Sequence, residues 1–288
     1  MPSARRMLQT GQRKPTKAVR ITPFRERSPV MVLATATVLP GRPLMRVDQL
    51  SLRGENVTPL RAVCLSLRAG ECLSLIGPKG AGKSEFLALL DRRLSGDPDW
   101  ELEGSMRLEG RDFLAEGPAR PDQIVRVQDA TARLEGSVHD CIARGLRAAG
   151  PARNEAEIDL AVTAALTASG LWPELTGRLQ SFGADLTFGQ QRRLALAMAL
   201  SRRPDILVMS EPFVSEPWEA DRMLAALLAL RGRLTIVFQS RDLARARRLA
   251  DRTAYMQSGK LLEIGETRQV FDAPRSAACG AFIARAWG

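Results

Sequence analysis

Residues 71–90 read Glu71-Cys-Leu-Ser-Leu-Ile-Gly-Pro-Lys-Gly-Ala-Gly-Lys-Ser-Glu-Phe-Leu-Ala-Leu-Leu90. An apolar run, a glycine-rich loop and a second apolar run follow one another, which reads as a buried strand, a turn and a helix. Between strand and helix, Gly77-Pro78-Lys79-Gly80-Ala81-Gly82-Lys83-Ser84 has the spacing GxxxxGK[ST]. Glycines let a backbone curl until successive N–H groups face one centre, and the following helix points its positive dipole end at the same place. Lys83 is then the group that reaches the β- and γ-phosphates of a bound nucleotide, and the Ser84 hydroxyl is a ligand for Mg²⁺.

A second block lies a hundred residues further on. Leu186-Thr187-Phe188-Gly189-Gln190-Gln-Arg-Arg193 opens a helix that runs through Leu200, and Pro204 separates it from an apolar strand, Ile206–Met209, ending at Ser210-Glu211-Pro212. A carboxylate at the tip of such a strand manages Mg²⁺ or the attacking water in a phosphate-loop protein, which makes Glu211 the candidate base. Helical periodicity in Glu155–Ser169 places Ile158, Ala161, Val162 and Leu166 on one stripe. The stretch Arg241–Arg252 alternates arginines with Leu243, Leu249 and alanines and reads as an amphipathic helix with a solvated face.

Composition bounds the class. The 288 residues are 45% hydrophobic and 26% charged with 23 Gly, 17 Pro and 4 Cys, so collagen-like, disulfide-scaffold and wholly disordered chains are excluded. The formal net charge of +10 is concentrated at the start: residues 1–30 hold eight basic residues against the single acid Glu26. Residues 1–44 therefore read as a basic, disordered extension rather than as a sign of specific nucleic-acid binding. No apolar run approaches the ~18 residues that a membrane-spanning helix needs; Met31–Leu39 is short and broken by Thr35 and Thr37. Cys64, Cys72, Cys141 and Cys279 form no CxxC pair, and His139 is alone, so reduced, buried cysteines are expected and a metal cluster is not.

The order of these motifs resembles the ATP-binding subunit of ABC transporters from about Met45 to Gly288. Leu186–Arg193 is similar to the family signature LSGGQQQR, and Gln128 in Val125-Arg-Val-Gln128 looks like the glutamine that touches Mg²⁺ and the permease. Ser137–Ile142, Gly145–Arg147, Gly170–Glu174, Asp251–Met256, Gly259–Thr267 and Phe282–Gly288 resemble the ATPase subunit of phosphate-specific importers. The resemblance implies an α/β P-loop NTPase with a RecA-like core at about 45–127 and 191–270, preceded by an antiparallel β portion and interrupted by a helical subdomain at about 128–190. It implies ATP and Mg²⁺ as cofactors, with Ser84 and Gln128 on the metal. It further implies integral-membrane permease subunits as partners, pairing with an identical or different ATP-binding subunit, and a peripheral place on the cytoplasmic face of the inner membrane.

Several positions depart from that pattern. Ser210 stands where the family has an aspartate, so the metal loses a charge partner, and Glu85 follows Ser84 where a threonine is usual, beside an anionic triphosphate. Arg241 replaces the switch histidine and cannot accept a proton at neutral pH. Phe188 replaces a signature glycine, Val214-Ser-Glu-Pro217 lacks an aspartate after Glu211, and Arg53 stands where an aromatic stacks on adenine. Removing one preorganised electrostatic group typically costs ~10²- to 10³-fold in rate. Two readings therefore stand: a working importer ATPase, or an ATP-binding paralogue with weakened turnover and a regulatory or heterodimer role.

Overall fold

The computed structural model describes residues 42–94, 96–128, 134–148, 154–213 and 216–287. The basic extension, up to residue 41, lies outside these, as do residues 129–133 and Val214-Ser215. The first element among the described residues is β1 (Pro43–Arg53). With β2 (Leu60–Arg68), β4 (Glu101–Leu108) and β5 (Arg111–Asp112) it forms an antiparallel sheet in the order β2-β1-β4-β5.

The second sheet is built from β3 (Cys72–Ile76), β6 (Ile124–Arg126), β7 (Ile206–Ser210), β8 (Thr235–Gln239), β9 (Arg252–Gln257) and β10 (Lys260–Glu266). Its order is β10-β9-β3-β8-β7-β6, parallel throughout except for antiparallel β10 on one edge. Parallel strands must be covered on both faces, which is why β3, β7 and β8 read as continuous apolar runs rather than alternating ones. Helix α1 (Lys83–Leu90) fills the space between the two sheets, where Phe86, Leu87, Leu89 and Leu90 meet Leu73, Leu75 and Val208 on one side and Leu50 and Leu67 on the other. A four-residue helix, α2 (Phe113–Glu116), follows β5, capped by the Asp112 carboxylate.

Helices α3 (Val138–Ala148), α4 (Glu155–Ala168) and α5 (Trp172–Leu175) make the inserted subdomain, and Ile158, Ala161, Val162 and Leu166 of α4 are buried as the periodicity requires. The long helix α6 (Phe188–Ser201) belongs to both parts: Leu194 and Ala197 pack into the subdomain, Leu196 and Leu200 against the parallel sheet. Helix α7 (Pro217–Leu230) and helix α8 (Leu243–Leu249) complete that face. The amphipathic stretch is shorter than Arg241–Arg252. It stops at Leu249 because the Asp251 carboxylate accepts the Cys72 N–H at 2.8 Å and Arg231 Nε at 2.8 Å, turning the chain into β9. Helices α9 (Thr267–Asp272) and α10 (Ala277–Trp287) close the edge at Tyr255. Cys72, Cys141 and Cys279 are buried as expected, whereas Cys64 is exposed, because the alternation of β2 turns it outward.

Arg193 of α6 joins the parts. Its guanidinium is 1% exposed and spends all five of its N–H donors: Nε and Nη2 on Glu219 of α7, Nη1 and Nη2 on Glu174 of α5, and Nη1 on the Gly170 carbonyl. Burial acts to raise the Glu174 carboxyl, but hydrogen bonds from Arg193 and Gln190 and the nearby arginines outweigh it and hold it below the usual 4.5. Its contribution to stability is therefore complete above pH 4.5 and is lost as the pH falls through the lower folded value. Arg193→Ala leaves Glu219, itself 3% exposed, without a cation, and is expected to cost about 3–5 kcal/mol in denaturant unfolding. A loss below about 1 kcal/mol would show that the network is dispensable.

Candidate functional site

The P-loop residues 77–84 connect β3 to α1 in the order the sequence indicated. Gly77 (φ +140°), Gly80 (φ +74°) and Gly82 (φ +95°) take backbone conformations that L side chains rarely adopt. A Cβ on Gly77 would lie 2.0 Å from the Met256 carbonyl oxygen, and one on Gly82 2.1 Å from that of Pro59, so the loop is packed against both sheets. Gly80 has nothing within 4 Å, and with Pro78 and Lys79 it forms the exposed crest. Ala81 is buried. Lys83 turns back over the loop and donates to the carbonyls of Gly77 at 2.8 Å and Pro78 at 2.7 Å. Burial lowers the Lys83 amine from its usual value, opposed by the charges of Glu211 and Glu85, while Arg241 pushes in the same direction as burial. Lys83, Glu85, Glu211 and Arg241 thus sit in one electrostatic neighbourhood.

The pairing of β7 with β8 builds the wall opposite the loop. Ser210 lies beside Gln239 in register, and Gln239 Oε1 accepts the Ser84 hydroxyl at 3.2 Å. Glu211, one residue beyond, has φ +46°. It is held there at both main-chain atoms: its N–H donates to the Gln239 carbonyl at 2.9 Å, and its carbonyl accepts Arg192 Nη2 at 2.6 Å. The carboxylate accepts the Arg241 N–H at 2.8 Å and faces Arg241 Nε at 3.5 Å, although the Arg241 side chain is largely exposed. Arg241 therefore pairs with the candidate base.

Strand alternation explains an arrangement that the motif reading missed. Ile124 of β6 and Ile206 and Val208 of β7 face α1, whereas Val125, Val127, Leu207 and Met209 face the other side. Arg126 and Ser210 continue the α1-facing rows, and the Arg126 guanidinium there bridges Ser210 Oγ through Nη2 and the Asp91 carboxylate through Nη1 at 3.0 Å. Asp91 closes α1 and is almost buried. A guanidinium thus lies against residue 210, the position at which the resemblance leads one to expect an acid. An arginine two positions from Val125's neighbour Ile124, in a row of otherwise buried positions, was the available signal. Gln239, Arg192 and Asp91 gave none.

Gln128 follows β6 and is exposed, one residue past Val127, whose N–H binds the Val208 carbonyl. Arg53 ends β1 in an ion pair with Glu103 at 2.9 Å, so its cation is already committed across the antiparallel sheet. In the signature, Leu186 is buried and Thr187 caps α6: its hydroxyl accepts the Gln190 N–H, and the Gln190 side chain accepts the Thr187 N–H. The spacing T-x-x-Q is a capping box. Gly189 is needed because a Cβ there would come 2.3 Å from Glu219 Cγ. Phe188 is about half exposed, its ring 5.9 Å from the Arg192 guanidinium carbon.

The sequence pattern of the family described as "ABC transporter" matches residues 60–214, more than half of the chain. This protein belongs to the ABC transporter family. The chain is 31% identical over 242 residues to the phosphate import ATP-binding protein PstB of Rubrobacter xylanophilus, covering 80% of this chain and 84% of that one. It is 28% identical over 254 residues to PstB 1 of Enterococcus faecalis, covering 86% and 100%. Among solved structures, the ADP- and Pi-bound dimer of the ATP-binding cassette MJ0796 superposes with a TM-score of 0.66 at 20% identity, over 78% of this chain and 99% of that one. The cbiO1 subunit of Clostridium perfringens gives 0.68 at 21%, over 81% and 92%. The fold is that of an ABC ATPase, a P-loop NTPase with an antiparallel β portion and an inserted helical subdomain. The MJ0796 cassette is a dimer, and cbiO1 is part of the ABC transporter complex cbiONQ. Among the described residues no helix is long and apolar enough to cross a membrane.

The two loop glycines give different expected outcomes. Gly80→Ala meets no atom, so its cost is left-handed strain alone, about 1–2 kcal/mol. Gly82→Ala adds a collision with the Pro59 carbonyl and is expected to lose clearly more in thermal unfolding; equal losses would contradict the packing described.

Proposed function

We propose that this ABC ATP-binding subunit serves an importer of the phosphate type, working with separate permease subunits at the cytoplasmic face of the membrane. The observation that carries the nucleotide chemistry is the convergence of the P-loop, Lys83 and Glu211 across the β3-β8-β7 sheet. The solute class rests on the PstB relatives. In this reading the N–H groups of residues 77–84 and the Lys83 amine bind the phosphates of ATP, Lys83 leaving the two carbonyls it holds. Glu211 orients the attacking water, and Arg241 supplies a fixed cation near the γ-phosphate in place of a titrating histidine. Leu186, Thr187, Phe188, Gly189 and Gln190 face the nucleotide of a partner subunit.

Ser84 and Gln128 offer the hydroxyl and amide oxygens that a hard cation takes, and because the Ser84 hydroxyl donates to Gln239, its lone pairs stay unspent. The residues fit Mg²⁺ in kind, and they supply less charge than usual, since Ser210 is neutral and bound to Arg126. When bound, Mg²⁺ neutralises charge on the β- and γ-phosphates.

A second reading, an ATP-binding paralogue with weakened turnover that pairs with another ATP-binding subunit, is favoured by Arg126 beside Ser210 and by the Phe188 ring on the signature surface. One set of assays separates the two: binding of a fluorescent ATP analogue and phosphate release by wild type, Lys83→Ala, Glu211→Gln, Ser210→Asp and Ser210→Asp with Arg126→Val. Lys83→Ala is expected to abolish binding. Wild-type release that disappears in Glu211→Gln supports the importer ATPase. Binding without release supports the paralogue, and Ser210→Asp alone is then expected to restore little, because Arg126 pairs with the new carboxylate. The double variant is expected to restore at least tenfold more. Solute assignment is tested by uptake of radiolabelled phosphate in cells with and without the protein; unchanged uptake would remove phosphate as the solute.

A further inference from the structure

The end of the parallel sheet remote from the P-loop holds a cavity of about 970 Å³. It opens where β2 ends, β3 and β9 begin, α7 and α8 finish and α9 starts. The five residues of β3 separate it from the P-loop by about 17 Å at ~3.3 Å per residue, so it is not part of the nucleotide site. Six arginines line it, Arg68, Arg231, Arg247, Arg248, Arg252 and Arg268, against three carboxylates, Glu71, Asp251 and Glu266.

The floor and the rim differ in charge. On the floor, Glu71 accepts Arg252 Nη1 at 3.0 Å and the Arg68 N–H at 2.8 Å, while Asp251 accepts Arg231 and the Cys72 N–H. Those two carboxylates are matched by two arginines and by main chain, which leaves the floor neutral and fixed. On the rim, the Arg68 guanidinium makes no ion pair or hydrogen bond with another described residue. Arg247 and Arg268 share one carboxylate, Asp272, at 2.6 and 3.7 Å, and Arg248 reaches Asp221 only at 4.0 Å. Glu266 alone opposes them among the lining residues. The rim is therefore a ring of under-matched guanidinium groups over a formed concave floor.

We propose that this cavity binds a small ligand carrying two or more phosphate groups, such as a nucleoside diphosphate or a short polyphosphate. Guanidinium forks match phosphate oxygens in pairs, which a point charge does not. Cations spread around an opening of this size call for several linked anionic groups rather than one, and the volume suits a small molecule. The site does not depend on the nucleotide chemistry assigned to the P-loop.

The test uses the full chain with Lys83→Ala, which removes phosphate binding at the P-loop. Titration with tripolyphosphate in physiological salt is followed by calorimetry and by amide hydrogen exchange. Saturable binding, with protection of residues 68–72, 247–252 and 266–268, is the expected result. Arg68→Ala with Arg268→Ala, both exposed, is expected to weaken binding at least tenfold and to remove that protection; each single variant does so in part. Arg46→Ala with Arg61→Ala, a charge-matched change on the antiparallel sheet, is expected to leave both intact. Protection confined to other segments, insensitivity to Arg68 and Arg268, an equal loss in the charge-matched control, or protection by a short RNA and not by tripolyphosphate would each overturn the proposal.

Discussion

Two carboxylates, Glu174 and Glu219, converge on the buried guanidinium of Arg193, and the relative placement of three helices depends on that convergence. A buried charge is tolerated only when its partners match it in number and direction, and here every donor has a receptor. The apolar contacts of α6 are non-directional and would allow it to slide along α7. The guanidinium plane does not. Because Gln190 also donates to Glu174 at 3.0 Å, the cap of the signature helix is tied into the same network. The position of the signature loop is thus set from inside the protein, by charge, as well as by the packing of Leu194 and Leu196.

Much of the fold was legible because its strongest elements are local. The strand, loop and helix of residues 71–90 carry their own period and their own glycines, and the stripe of α4 is a property of fourteen consecutive residues. Elements decided by distant partners were less legible. The helix after Arg241 is seven residues because Asp251 is drawn to the start of β3, which no local pattern near residue 250 announces. Cys64 shows the same limit from the other side: its exposure follows from the phase of β2, and apolar character alone misplaced it.

The candidate site divides in a similar way. The P-loop spacing and Glu211 could be read directly, and so could the oddity of Ser210. What could not be read was the response to it, since Arg126 and Asp91 are separated from residue 210 by 84 and 119 positions and meet only across two strands and a helix end. The P-loop keeps the spacing and the left-handed glycines that the resemblance leads one to expect, whereas position 210, where an acid is expected, carries a serine bound to Arg126. Holding a nucleotide and turning it over draw on different groups, so a chain can lose much of the second capacity while its loop geometry stays intact.

The cysteines carry a practical consequence. Burial pushes the Cys72 and Cys279 thiols up to about 12, and Cys141 is raised by burial as well, so none of the three presents a ready thiolate near neutral pH. Cys64 alone faces solvent, on the outer side of β2, with the Gln49 N–H and side-chain amide 3.2 and 3.3 Å from its sulfur. The native sequence therefore already provides a single addressable handle. A dye or spin label attached there would report on the antiparallel sheet without engineering, and without touching the P-loop, the signature helix or the arginine-lined cavity.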